Sequence, residues 1–158
     1  MANTQSMCTS FLGELMTATH NFGASPIRAA ATADTFNGAL YLVSATINAA
    51  TTVYTVTGEV SGANYTAGGI NVTNATPPTS TNSSATAGVG FFTPSGSLVY
   101  TNVTLATAFD TVLIYNSTQG NKAVSVHTFG SQSITAGTFT LTMPANTTTT
   151  ALLRLATT

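Results

Sequence analysis

Phe109-Asp110-Thr111-Val112-Leu113-Ile114-Tyr115-Asn116 runs into Ser117-Thr118-Gln119-Gly120-Asn121 and then into Lys122-Ala123-Val124-Ser125-Val126-His127-Thr128-Phe129. On an extended chain Phe109, Thr111, Leu113 and Tyr115 fall on one side, and Asp110, Val112 and Ile114 on the other. Such a strand is apolar on both faces and belongs in the middle of a sheet. The segment 116–121, made of Asn, Ser, Thr, Gln and Gly between two β-rich runs, predicts a hairpin loop. The central unit is therefore an antiparallel hairpin.

The same vocabulary of Val, Ile, Thr, Tyr and Phe punctuated by Gly and Asn extends from residue 34 to the end. It predicts strands near 38–47, 52–58, 69–73, 89–93, 97–105, 109–115, 122–129, 138–143 and 150–156. The triplet Thr-Ala-Gly recurs at 66–68, 86–88 and 135–137, where glycine is expected to supply a positive φ before a strand. Residues 74–88 contain no large apolar side chain and include Pro77-Pro78, so a long surface loop is expected there. Many short strands without alternating helices describe a mainly β chain, an antiparallel β-sandwich or jelly-roll-like barrel.

The first third reads differently. Phe11, Leu12, Leu15, Met16 and Phe22 recur at helical spacing, Thr9 or Ser10 suits the start, and Gly23 and Pro26 suit the stop. One N-terminal amphipathic helix is predicted, preceded by a polar arm. The division is 1–33 for arm and helix and 34–158 for the β domain. A length of 158 residues fits one ordinary domain.

Charged residues make up 4% of the chain, where about 25% is usual. Arg28, Lys122 and Arg154 stand far apart, so no basic patch is available to neutralise a nucleic-acid backbone. At 43% hydrophobic with a net charge of −1, the chain is expected to fold rather than remain disordered. The longest nearly apolar stretch, Gly38 to Ile47, is shorter than the roughly 20 residues of a membrane helix. No secretory signal pattern follows Met1 and Cys8 is the single cysteine, so synthesis in a cytoplasm is expected. The Asn-x-Ser/Thr triplets, from Asn64 to Asn146, then reflect composition rather than glycosylation. Thr alone is about a fifth of the chain, which suits exposed strands that carry hydroxyls in place of charges.

The inventory for catalysis is short: Glu14, Asp34, Glu59, Asp110, His20, His127 and Cys8, besides three cations and five tyrosines. His127, Asp110 and a serine do not come with a nucleophile elbow, and His127 reads as a strand residue bonded to a neighbour. Cys8 and His20 carry no spacing that pairs them, and Cys8 reads as a small apolar residue. No metal-ligand spacing and no phosphate loop occur, so neither cofactor nor metal is expected. Glu59, between glycines, is read either as an intersubunit acid or as a cap on loop amides of its own domain.

The runs Asp34-Thr35-Phe36 into Ala39-Leu40-Tyr41, Tyr54-Thr55-Val56-Thr57-Gly58-Glu59-Val60-Ser61-Gly62 and Tyr65-Thr66-Ala67-Gly68-Gly69 resemble small virion structural proteins of tailed bacteriophages. Phe109 to Asn116, Lys122 to Gly130 and Ala136 to Phe139 look like the second half of the same pattern, so the match spans roughly 34–143. The resemblance implies a β-rich, non-enzymatic particle component. Cement or decoration of the head is the first expectation, and a neck or tail component the alternative. Its partners would be the major capsid protein and further copies of itself in a homo-oligomer, with no nucleic acid and no membrane. Its place would be the head surface of the virion after synthesis in the bacterial cytoplasm. Phe11, Leu15, Phe22 and Glu59 are the candidate capsid or intersubunit contacts. A module for host glycans stacking on Phe91, Phe92, Tyr65 or Tyr100 is a further, weaker reading.

Overall fold

The computed structural model describes residues 3–8, 11, 15, 19, 20, 22, 33–76, 78–81 and 88–156. Its strands are β1 (Ser6–Met7), β2 (Phe36–Leu42), β3 (Ile70–Val72), β4 (Thr79–Ser80), β5 (Val89–Phe92), β6 (Leu98–Asn116), β7 (Lys122–Leu141) and β8 (Leu153–Ala156). They form two antiparallel sheets, of five strands in the order β1-β7-β6-β2-β3 and of three in the order β4-β5-β8. The fold is mainly β, as the composition predicts. Neither sheet closes on itself among the described residues, so the barrel alternative is set aside. The expected N-terminal helix falls largely outside the described residues.

The hairpin is where the sequence places it. β6 ends at Asn116, β7 starts at Lys122, and Asn116 pairs with Lys122. The Asn116 Oδ1 accepts the amides of Thr118 and Gln119, both at 3.1 Å, and closes the turn. β6 lies between β7 and β2, and residues 111–116 are buried without interruption. Its central position follows from its two apolar faces.

Several expectations are corrected. The separate strands at 97–105 and 109–115 are one strand, β6, and those at 122–129 and 138–143 are one strand, β7. Between Tyr100 and Thr111 the register of this pair shifts four times, so the polar and glycine residues read as turns are β-bulges inside continuous strands. Ala136, not Gly137, takes the positive φ there, at 46°. The run 52–58 is no strand. It touches the sheet by the Val53–Lys122 bridge and then turns back at Val56–Glu59. The run 150–156 is strand only from Leu153, because the Thr147 hydroxyl accepts the amides of Thr149 and Thr150 and makes a turn of the threonine run. The loop expected over 74–88 contains the two-residue β4 and otherwise lies partly outside the described residues.

The bulges let the long hairpin double back. Gly38 pairs with Ile114 on β6, yet a Cβ placed on Gly38 would lie 2.6 Å from Leu98 Cδ1 and 3.4 Å from the Tyr100 hydroxyl. Sixteen positions of straight strand would hold Leu98 roughly 50 Å from Ile114. Phe109 likewise meets Phe139 edge to face at 5.2 Å. The far half of the hairpin therefore lies over the near half, and Leu98, Tyr100, Val103 and Leu105 join Leu40, Val112 and Ile114 in one buried core.

Candidate functional site

Glu59 sits at the end of the 56–59 turn, which Gly58 permits with a φ of 79°, and bridges to Tyr41 of β2. One carboxylate oxygen, Oε1, accepts the Tyr65 hydroxyl and the Gly68 amide, each at 2.7 Å. The other, Oε2, accepts the Tyr54 hydroxyl at 2.7 Å. Tyr54 stacks on Tyr115 at 4.6 Å, and Tyr65 on Tyr100 at 6.0 Å. The Tyr115 hydroxyl donates to the Gly68 carbonyl, and the Tyr41 hydroxyl to the Thr55 carbonyl. All five tyrosines of the chain thus gather around one carboxylate. Burial raises the pKa of all five above its ordinary value, and the Glu59 charge adds to the rise.

Of the two readings of Glu59, the loop cap is the one whose bonds are present: the Gly68 amide is the capped group. Both oxygens are occupied by its own domain. The tyrosine cluster itself was not legible, because Tyr41, Tyr54, Tyr65, Tyr100 and Tyr115 are spread over 75 positions; the one hint is their number in a chain with so few charges.

Phe11, Leu15 and Phe22 come together around one apolar cavity. Phe11 and Phe22 are 2% and 9% exposed. Phe22 stacks on Phe36 of β2 at 4.5 Å and lies 5.2 Å from Phe92 of β5, with Phe11 edge-on to it at 5.8 Å. These two rings join the two sheets and belong to the core of the chain. Leu15 is half-buried and, with Phe11, Phe22, Phe91 and Leu155, lines an apolar cavity of about 150 Å³.

A second polar group lies beside these rings. Asn116 Nδ2 donates to Asp34 Oδ2 at 2.8 Å and lies 3.1 Å from His20 Nδ1, while Gln119 donates to Asp34 Oδ1 at 3.0 Å. Asp34, Asn116 and His20 are all buried. This group ties the hairpin turn to residues 20 and 34 and satisfies the polar atoms that the turn would otherwise bury.

His127 is bonded to a strand neighbour, the Ser125 hydroxyl, at 2.9 Å from Nε2. Burial pushes its pKa down to about 4. Asp110 is held by Asn3 and Thr111, at 2.9 and 2.7 Å. The three members of the triad considered from sequence are thus engaged in two separate contacts. Cys8 is fully buried, as its apolar reading requires. Of the aromatics a glycan platform would use, Phe92 and Tyr100 are buried and Phe91 and Tyr65 half-buried.

Comparison with known protein families, characterised proteins and solved structures gives no match.

Proposed function

We propose that the chain is a non-enzymatic structural protein of a tailed-phage virion, a cement or decoration subunit that binds the major capsid lattice and stabilises the head. The two-sheet architecture is read here as a jelly-roll-like sandwich, made in the host cytoplasm and ending on the head surface.

The observation that carries this reading is where the few charges go. Asp34, Glu59 and Asp110 all accept hydrogen bonds from their own chain. What faces outward along the distal half of the hairpin is uncharged: Thr101, Asn102, Ser131, Gln132, Ser133, Thr135, Thr138 and Thr140 are exposed. Such a surface generates little repulsion between copies or against a neutral partner, which suits dense packing on a shell. The burial of Phe11 and Phe22 favours lattice contact through this strand surface rather than through those rings.

The test is the number of copies per purified particle, by quantitative mass spectrometry against the major capsid protein. Hundreds of copies support decoration of the head. About a dozen would move the protein to the symmetric neck or tail, and absence from the particle would overturn the virion reading.

A further inference from the structure

The sheet edges of this protein are unequal. At the edges, β1 and β4 have two residues each, β3 has three, and β8 has four with Arg154 among them. Short strands and edge charges are the usual ways of keeping a sheet from pairing with a neighbour. β7 is different. β1 covers it only at Ser125 and Val126, and the segments around Cys8 and Thr52 reach it only from Lys122 to Val124. From Gly130 to Leu141 no described residue outside β6 and β7 makes a backbone hydrogen bond to it. That run holds no Lys, Arg, Asp, Glu or Pro.

Among the described residues its one protection is the series of bulges, and they stop short of the end. The pairs Leu98–Leu141, Val99–Thr140 and Tyr100–Phe139 are consecutive, with no register shift between them. Here the ladder is regular, and no described residue bonds its outer backbone groups. Thr140, at the centre, is exposed; Phe139 and Leu141, on either side, are half-buried against the core.

We propose that this edge is an interface between two copies of the chain, paired antiparallel about a two-fold axis at Thr140. Any strand is complementary to its own antiparallel copy, because each exposed N–H meets a C=O. Thr140 then lies opposite the partner's Thr140, a favourable cross-strand pair, and each Phe139 lies opposite the partner's Leu141, which extends the apolar core across the axis. The absence of charge along this edge leaves no repulsion against the pairing. A pairing this short buries less surface than a stable dimer needs, so it forms with rising protein concentration and is completed where copies are held side by side. This deepens the oligomeric part of the proposed function and rests on it.

The experiment is sedimentation equilibrium of the full chain over a wide concentration range, with hydrogen exchange of the 138–142 amides at both ends of that range. The wild type is expected to dimerise, and the outward amides to slow by at least about tenfold in the dimer. Thr140→Lys and Thr140→Glu place like charges directly opposite and should each be monomeric, while an equal mixture of the two should recover the dimer. Thr57→Lys, on the exposed 56–59 turn, should dimerise as the wild type does. A wild type monomeric at every concentration, or a dimer whose 138–142 amides exchange as in the monomer, would overturn the proposal. If a Thr140 variant fails to fold, as near-ultraviolet circular dichroism will show, the wild-type exchange data decide alone. Copy number per particle reads the head assignment separately: a monomer abundant on particles sinks the edge pairing and leaves decoration standing, and a dimer absent from particles does the reverse.

Discussion

The Tyr100 hydroxyl donates a 2.7 Å hydrogen bond to the carbonyl oxygen of Gly38, 62 positions earlier in the chain. The two residues meet because the β6–β7 hairpin doubles back over β2, and the bond marks the point where its far half lands.

Removing that hydroxyl tests the contact with little other change. Tyr100→Phe keeps the ring on Tyr65 and beside Phe139 and should lower unfolding stability by about 1 kcal/mol. Gly38→Ala acts differently, by inserting a methyl 2.6 Å from Leu98 Cδ1 and 3.3 Å from Val112 Cγ2. Leu98 can yield only by leaving a packed site, so a loss of about 1–3 kcal/mol is expected. Urea titration of both variants measures the difference. No loss in either would mean that the far half does not rest on β2.

Gly69 is a stricter case. Its φ is 72°, and an added Cβ would fall on the Gly38 carbonyl oxygen. Neither backbone can move without unpairing β3 from β2. Gly69→Ala should therefore cost more than Gly38→Ala, above about 3 kcal/mol, or fail to fold. Soluble yield and thermal unfolding check the order.

The hairpin 109–129 was legible because alternation, apolar content and a six-residue polar loop all agree. The bulged continuation was not. Ser131, Thr135, Ala136 and Gly137 have the composition of a turn, and a β-bulge uses the same residues to bend a strand without ending it. Val53, Tyr54 and Val56 have the composition of a strand, yet tertiary contacts, the Tyr54 bond to Glu59 and the ring stacking on Tyr115, fix them as a loop over the sheet. The capping role of Glu59 could be read from its flanking glycines, whereas the tyrosines around it could not, since they come from β2, the loop that follows it and β6.

Glu59 holds Tyr54, Tyr65 and Gly68 at once, so its substitution discriminates between an internal keystone and an acid reserved for another subunit. Glu59→Ala leaves the buried Gly68 amide without its acceptor and should cost about 3 kcal/mol or more in the isolated protein. Glu59→Gln keeps one oxygen and an amide that the Tyr54 oxygen can accept from, so about 1 kcal/mol is expected. Unchanged thermal stability in both variants would assign the carboxylate to an intermolecular contact instead.

Alkaline pH should unfold the protein through the same cluster. The tyrosine pKa values are raised in the folded state, so their contribution is complete below the unfolded value of about 10 and declines as pH rises above it. Tyrosinate absorbance should therefore stay low past pH of about 10 and then rise together with loss of the near-ultraviolet dichroism. Tyrosinate appearing gradually near the ordinary value, with the fold intact, would contradict the buried cluster.

Acid acts through a different group, His127. Its folded pKa is about 4, below the ordinary value of about 6.5, because burial disfavours the imidazolium. The unfolded chain takes up this proton first. Stability is then full above about 6.5, falls as pH drops, and has lost the whole contribution once pH passes about 4, a change of at most about 3 kcal/mol. Half-burial of the side chain lets solvent reduce that figure. His127→Asn removes the titrating group and should flatten the stability profile between these two pH values. Other titratable groups remain in the variant, so any acid loss that persists comes from groups other than His127. If wild type and His127→Asn lose stability in parallel across this range, the imidazole is not held neutral by the fold.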